Sequence, residues 1–252
     1  MQRNTLVGIG AAVGCVLVAL ILDHDSPTVL LNPSALILVV GGTVTLAFAI
    51  GTFSDGKLLP KVVKKAITGV PEDPTAKIQR LVKMADDSRR HGLLKLEEDA
   101  AGETDPFFRR GISLVVDGKD SETIRGVLEA DLDAMHARHS RGVKALKQAG
   151  GFAPTLGIIG TVIGLVHVMT NLSSPSTLGP AIGAAFTSTL WGVLSANLFW
   201  LPMSAKLDRL SAAEAEGREA IIAGLLAIQA GEPPRTVEVL LSSFLPATDA
   251  AA

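Results

Sequence analysis

Three stretches of this chain contain no Asp, Glu, Lys or Arg: residues 4–22, 26–54 and 148–205. A bilayer core about 30 Å thick needs roughly 20 helical residues at about 1.5 Å each. The first stretch fits one span, near residues 6–22. The second fits one near residues 34–53. The third is long enough for two spans with a turn between them. Residues 171–180 read Asn-Leu-Ser-Ser-Pro-Ser-Thr-Leu-Gly-Pro, a composition that suits that turn. Four transmembrane helices are therefore predicted. Buried helices of a soluble protein account for one such run but not for three together. The first run also resembles a signal peptide in following Arg3, but it passes into Asp23-His24-Asp25 without a small-x-small cleavage site. A helical hairpin fits it better.

Composition agrees and excludes other classes. Hydrophobic residues make up 48% and charged residues 19% of 252, too apolar for a disordered chain. A net charge of -2 gives no case for nucleic-acid binding. Cys15 is the single cysteine, so no intrachain disulfide and no multi-cysteine metal site can form.

Of 23 Lys and Arg residues, 18 lie in 55–147, and the others are Arg3, Lys206, Arg209, Arg218 and Arg235. Four spans put all of them on one side. The positive-inside rule makes that side the cytoplasm, with both termini cytoplasmic. The predicted organisation is all-α. Residues 1–54 hold the first two transmembrane helices with a periplasmic loop at 23–28, and 55–147 form a cytoplasmic helical domain. Residues 148–205 hold the third and fourth helices with a periplasmic loop at 173–180, and 206–252 form a cytoplasmic helix and a loose tail. In the cytoplasmic part, apolar residues recur at helical spacing over 74–91, with Gly92 ending that helix, and again over 106–116. A further pattern starts at Ser121 and runs without Pro to Ala149, so it continues into the third span as one long helix. Residues 206–229 extend the fourth span in the same way until Pro233-Pro234.

The chain lacks the signatures of metalloprotease, serine hydrolase, P-loop and dinucleotide sites, and no enzyme activity is expected. It also has no carboxylate within the spans. A cation crossing a membrane needs a counter-charge there. If this chain moves cations, a partner must supply the acid. Its own contribution is small and polar: Thr155, Thr161, Thr187, Ser188, Thr189, Ser195 and Asn197, with many glycines. Such residues permit close helix packing and can line a narrow hydrated path. Pro154 opens the third span and Pro202 closes the fourth, where each bends its helix or serves as a hinge to the cytoplasmic helices.

The run Gly151-Phe152-Ala153-Pro154-Thr155-Leu156-Gly157-Ile158-Ile159-Gly160-Thr161 resembles the third span of the MotA/PomA family of flagellar stator proteins. Thr189-Leu190-Trp191-Gly192 and Asn197-Leu198-Phe199-Trp200-Leu201-Pro202 continue the likeness through the fourth span, and Asn32-Pro33-Ser34-Ala35 with Gly41-Gly42-Thr43 through the second. Arg89-Arg90-His91-Gly92-Leu93-Leu94-Lys95-Leu96-Glu97 resembles the cytoplasmic motif. The resemblance implies a homo-oligomeric ring, a pentamer, in membrane lipid around two copies of a MotB-like single-span partner anchored to peptidoglycan. The partner carries the membrane Asp. Ion flow turns the ring and drives a FliG-like flagellar rotor protein. By the same resemblance, Pro154 and Pro202 serve conformational coupling, and Thr161, Phe186, Ser188 and Thr189 lie in the ion pathway near the partner's Asp. Arg89 and Glu97 face the rotor. No cofactor is implied beyond the translocated ion. Ser188-Thr189-Leu190-Trp191-Gly192 is intermediate between the family's sodium and proton patterns, so the expected ion is H+ with Na+ as the alternative, and Trp191 stands where Tyr is usual.

The competing expectation is a related ExbB- or TolQ-type energiser of gliding or outer-membrane transport. The hairpin of residues 6–53 and the Arg89 to Glu97 motif argue against the outer-membrane type. A stand-alone transporter should carry its own substrate charge or an inverted repeat, and neither is present.

Overall fold

Asn32 shows how the helices of this chain start. Its side-chain Oδ1 accepts the Ala35 N–H at 3.3 Å, and Pro33 follows at the first helical position, where a missing N–H costs nothing. The computed structural model describes residues 2–22, 30–50, 59–71, 73–170 and 175–245. The predicted loop at 23–28 and the end of the tail lie outside the described residues. Among those residues every regular element is helical: α1 (Gln2–Leu22), α2 (Pro33–Leu36), α3 (Gly42–Ile50), α4 (Leu59–Thr68), α5 (Thr75–His91), α6 (Lys95–Gly102), α7 (Pro106–Val116), α8 (Ser121–Thr170), α9 (Pro175–Ser195), α10 (Leu201–Gln229) and α11 (Pro234–Ser242). Wider π-type turns, Ile37–Gly41 and Ala196–Trp200, join α2 to α3 and α9 to α10 without a break. Ser121–Thr170 and Leu178–Gln229 each contain a stretch long and apolar enough to cross a membrane, and Val7–Leu22 and Pro33–Ala49 are shorter apolar helices. The turn expected over 171–180 is narrower than its composition suggested. Residues 175–180 already belong to α9, because Pro175 suits a first helical position and Pro180 sits within the opening turns.

The chain divides into two compact units. One comprises Met1–Val70 and His139–Asp208, the other Pro71–Arg138 and Arg209–Ala252. The packing boundary thus differs from the charge boundary at 55 and 147, since α4 belongs with the apolar unit. There Val62 lies against Gly142, Lys206 Nζ donates to Ile67 O at 3.1 Å, and Ser204 Oγ donates to Val143 O at 3.0 Å. The core of this unit is built from Ala47, Ala66, Leu146, Ala149, Ala153, Ala196, Trp200 and Met203.

Within it, α8 and α9 run antiparallel at a separation that only glycine permits. A Cβ on Gly157 would stand 2.8 Å from Ser188 O, and one on Gly164 would stand 2.9 Å from Ala185 Cα. A Cβ on Gly192 would stand 2.7 Å from Ala153 O and 3.1 Å from Pro154 Cα. Where hydrocarbon surrounds the helices no hydrophobic force drives them together, so backbone contact across small residues must do so.

The second unit surrounds a larger-residue core that includes Leu81, Met84, Phe108, Ile112, Leu128, Ile221 and Leu225. Glu103 is buried, yet its charge is satisfied. Arg80 pairs with it at 2.7 Å and the Asp105 N–H donates to it at 2.8 Å. Asp105 caps α7 by accepting the Phe107 N–H at 3.0 Å and pairs with Lys77 at 3.0 Å. Burial pushes the Asp105 carboxyl up, but the Lys77 ammonium and the Phe107 and Phe108 N–H groups together outweigh it and hold it below the usual carboxylate range.

Two predictions follow from this packing. Gly192→Ala should lower stability of the detergent-purified protein by about 1–3 kcal/mol, because the new Cβ meets backbone. Gly126→Ala, which meets nothing, should raise it by about 0.5–1 kcal/mol, and thermal melts compare the two. Asp105→Ala should cost about 1 kcal/mol at neutral pH. A depressed carboxyl stabilises the fold above its unfolded pKa of about 3.9 and loses that contribution as pH falls through the folded value. The gap between wild type and Asp105→Ala should therefore shrink in melts taken below about pH 4.

Candidate ion pathway and partner face

The close approach of α8 and α9 brings two hydroxyls together. Thr161 Oγ1 lies 2.5 Å from Thr189 Oγ1, 3.1 Å from Ala185 O and 3.2 Å from Gly157 O. Thr189 Oγ1 lies 3.3 Å from Gly157 O. Each hydroxyl has one proton and two lone pairs, and each carbonyl has a second lone pair beyond its helix bond. The result is a cluster of four oxygens with spare acceptor capacity, half-buried between two helices. Oxygen dipoles of this kind replace the hydration of a small cation or pass a proton. Residues 148–205 contain no carboxylate to balance a bound charge.

Ser188 precedes Thr189 and is buried against Gly160, where a Cβ would stand 2.8 Å from Ser188 Oγ. It lines a cleft of about 600 Å³ together with Asn32, Ser34, Leu38, Gly164 and His167. Asn32 and Trp191 tie this region together. Asn32 Nδ2 donates to Ala184 O at 3.0 Å, and Trp191 Nε1 donates to Leu30 O at 2.7 Å. Both bonds fasten α9 to the segment that leads into α2. Sequence reasoning gave Asn32 and Trp191 no role. The Asn-Pro pair before an apolar run was a readable cap signal, whereas nothing local announces the indole bond across the fold.

The remaining membrane-side residues fall into two groups. Pro154 lies inside α8 and packs against Gly192, so the Gly150 carbonyl loses its helix donor. Pro202 lies at the start of α10, directly after the π-type turn Ala196–Trp200, which relieves the clash between its ring and the carbonyl of Leu198. Phe186 does not join the hydroxyl pair. Its ring is 58% exposed, on a side of α9 that this chain leaves open.

The second unit places Arg89 in the last turn of α5 and Glu97 in the first turn of α6. Gly92 makes the corner with φ +81°, a conformation that side chains resist. Both residues are exposed, and among the described residues neither side chain has a hydrogen bond or ion pair. Their neighbours differ. Arg90 pairs with Asp86 at 2.9 Å, and Lys95 pairs with Glu98. The Glu98 carboxyl is accordingly held low by the Lys95 ammonium. Among the described residues no group of three or more His, Cys, Asp or Glu side chains is placed to hold a metal ion.

A model of the MotA/TolQ/ExbB proton channel family matches residues 99–220. Motility protein A of Bacillus subtilis (strain 168) is 34% identical over 253 residues, covering 99% of this chain and 93% of that protein. Chemotaxis protein PomA of Vibrio alginolyticus is 33% identical over 248 residues, covering 97% of this chain and 96% of that protein. The structure of the flagellar MotAB stator complex from Bacillus subtilis superposes with a TM-score of 0.92 at 32% identity, covering 98% of this chain and 97% of that one.

The indole tie is directly testable. Trp191→Phe keeps an aromatic ring but removes one of the two hydrogen bonds that Leu30 O accepts, the other coming from the Asn32 N–H at 3.0 Å, and should cost about 1 kcal/mol in thermal melts of the purified protein. An unchanged melting temperature contradicts the tie.

Proposed function

Because this chain belongs to the MotA/TolQ/ExbB proton channel family, we propose that it is the ion-conducting stator subunit of a bacterial flagellar motor. Likeness over the whole length to flagellar stator proteins favours this reading over an energiser of gliding or outer-membrane transport. The chain is a membrane channel component and not an enzyme. Several copies surround a MotB-type partner, in a ring that we take to be a pentamer. The apolar stretches of α1, α2–α3, α8 and α9 support four spans, and the one-sided Lys and Arg support cytoplasmic termini.

The observation that carries the mechanism is the Thr161–Thr189 oxygen cluster within residues 148–205, a stretch without a carboxylate. In the proposed cycle, the cluster and Ser188 hand an ion to an acid supplied by the partner. Neutralising that acid removes a charge from the lipid-depth interface and changes which copy of the ring binds it best. Each charge that moves down about 100 mV releases roughly 2.3 kcal/mol. Pro154 within α8 and Pro202 in the first turn of α10 each remove one helix hydrogen bond, so each helix can bend there. Motion at the cluster then reaches the cytoplasmic helices through α8 and α10, which run continuously from one unit into the other. The unpaired Arg89 and Glu97 meet complementary charges on the rotor. We take the ion to be H+, with Na+ the alternative.

Three measurements test this reading, all in a strain lacking its own stators and supplied with this chain and its single-span partner. Pro154→Leu and Pro202→Leu should enter the membrane normally but abolish swimming, and normal swimming by both removes the hinge role. Glu97→Lys should reduce torque at high load more than Glu98→Lys, and equal effects remove the partner-face assignment. Single-motor speed should ignore external sodium and stop when the proton gradient is collapsed. Speed that scales with sodium instead makes Ser188 and Thr189 sodium ligands.

A further inference from the structure

The cleft beside the oxygen cluster has an open end and a buried end. Asn32, Ser34, His167 and Pro180 line it at the start of α2, the last turn of α8 and the opening turns of α9. Of these, Ser34, His167 and Pro180 are exposed. Gly160, Ala185 and Ser188 line the other end and are buried. That end adjoins the hydroxyl pair directly. Ala185 O accepts from Thr161 Oγ1 at 3.1 Å, and Gly160 and Ser188 immediately precede Thr161 and Thr189.

Ser188 marks the buried end as a place for water or an ion. It is 5% exposed, and among the described residues its hydroxyl makes no hydrogen bond. A helical hydroxyl is ordinarily satisfied by the carbonyl four residues earlier, as Thr187 is by Gly183 O at 2.9 Å. For Ser188 that carbonyl is Ala184 O, and the Asn32 side-chain amide already donates to it at 3.0 Å. The Ser188 hydroxyl is left to the cleft. A buried hydroxyl without a partner is costly. The cleft has room for one, since its volume of about 600 Å³ is many times the roughly 30 Å³ that a water takes in the liquid. It is lined by no Asp, Glu, Lys or Arg, so no fixed charge traps or repels a cation on the way in.

We propose that this cleft is the vestibule by which the ion reaches the oxygen cluster from the outer face of the membrane, carried by a file of water, with Ser188 the last hydroxyl it meets before Thr189. This rests on the stator reading and on the orientation that puts the start of α2 and the end of α8 on the outer side. Asn32 then has two tasks. It starts α2, and by occupying Ala184 O it keeps the Ser188 hydroxyl available to the path.

Cysteine labelling tests the vestibule with two separate readouts. The full chain, with Cys15→Ser as background, is expressed with its single-span partner in a strain lacking its own stators. Cells are treated with a membrane-impermeant methanethiosulfonate that carries a fixed ammonium. Labelling is read by mass spectrometry and rotation by single-motor speed. Ala184→Cys and Ser188→Cys, which line the cleft, should be labelled from outside. Ile159→Cys, next to Gly160 but off the cleft, should not. Labelled Ala184→Cys should turn about tenfold slower, because a fixed cation in a narrow path repels the passing one. If Ala184→Cys and Ser188→Cys are labelled no more than Ile159→Cys, or only when the partner is withheld, the cleft is closed or covered, and the vestibule is wrong whatever the motor does. If both are labelled and speed is unchanged, the ion enters elsewhere, so the vestibule is wrong and the stator reading stands. If the Cys15→Ser parent turns no motor with both proteins in the membrane, the stator reading falls and takes the entry role with it.

Discussion

The contact between α8 and α9 is the constraint on which the membrane unit depends. Gly157, Gly164 and Gly192 bring backbone against backbone, and that separation alone puts Thr161 Oγ1 within 2.5 Å of Thr189 Oγ1. A wider crossing would separate the hydroxyls and admit lipid or water between them. The same glycines make room for Pro154, whose Cα lies where a side chain on Gly192 would have to go. The hydroxyl pair and the place for Pro154 are therefore two consequences of one packing choice.

That choice has a chemical corollary. A tight, small-residue seam leaves no volume for a carboxylate with its hydration, and the sequence has none in its spans. The chain offers dipoles, not charge. On the proposed mechanism such a chain conducts only beside a partner that carries the acid, which couples conduction to assembly and keeps an unassembled subunit from dissipating the gradient.

Much of the fold was legible in the sequence. Helices over 74–91 and 106–116, the stop at Gly92, and the uninterrupted run from Ser121 through Pro154 all follow from apolar spacing and from where glycine and proline fall. The two π-type turns were not legible. They lie in continuously apolar sequence, where one extra residue per turn changes no pattern. Nor was the start of α9, because Pro175 and Pro180 read as turn residues unless the first position of a helix is known. The candidate site divides likewise. The hydroxyls and prolines stood out as polar or rigid residues in an apolar run. Phe186 came only from a family likeness, and this chain leaves it exposed. Whether a surface charge is free or paired was beyond sequence reading: Arg89 and Arg90 lie three and four residues after Asp86, both spacings that allow a pair, yet Asp86 pairs with Arg90.

The central claim is that this chain supplies the path and its partner the charge. The most direct measurement is ion flux into vesicles holding this chain alone, this chain with its single-span partner, and this chain with a partner whose membrane Asp is replaced by Asn. Flux should appear only in the second case. Flux through this chain alone would contradict the account, because it would require a charge-balancing group within residues 148–205, where the sequence has no Asp or Glu.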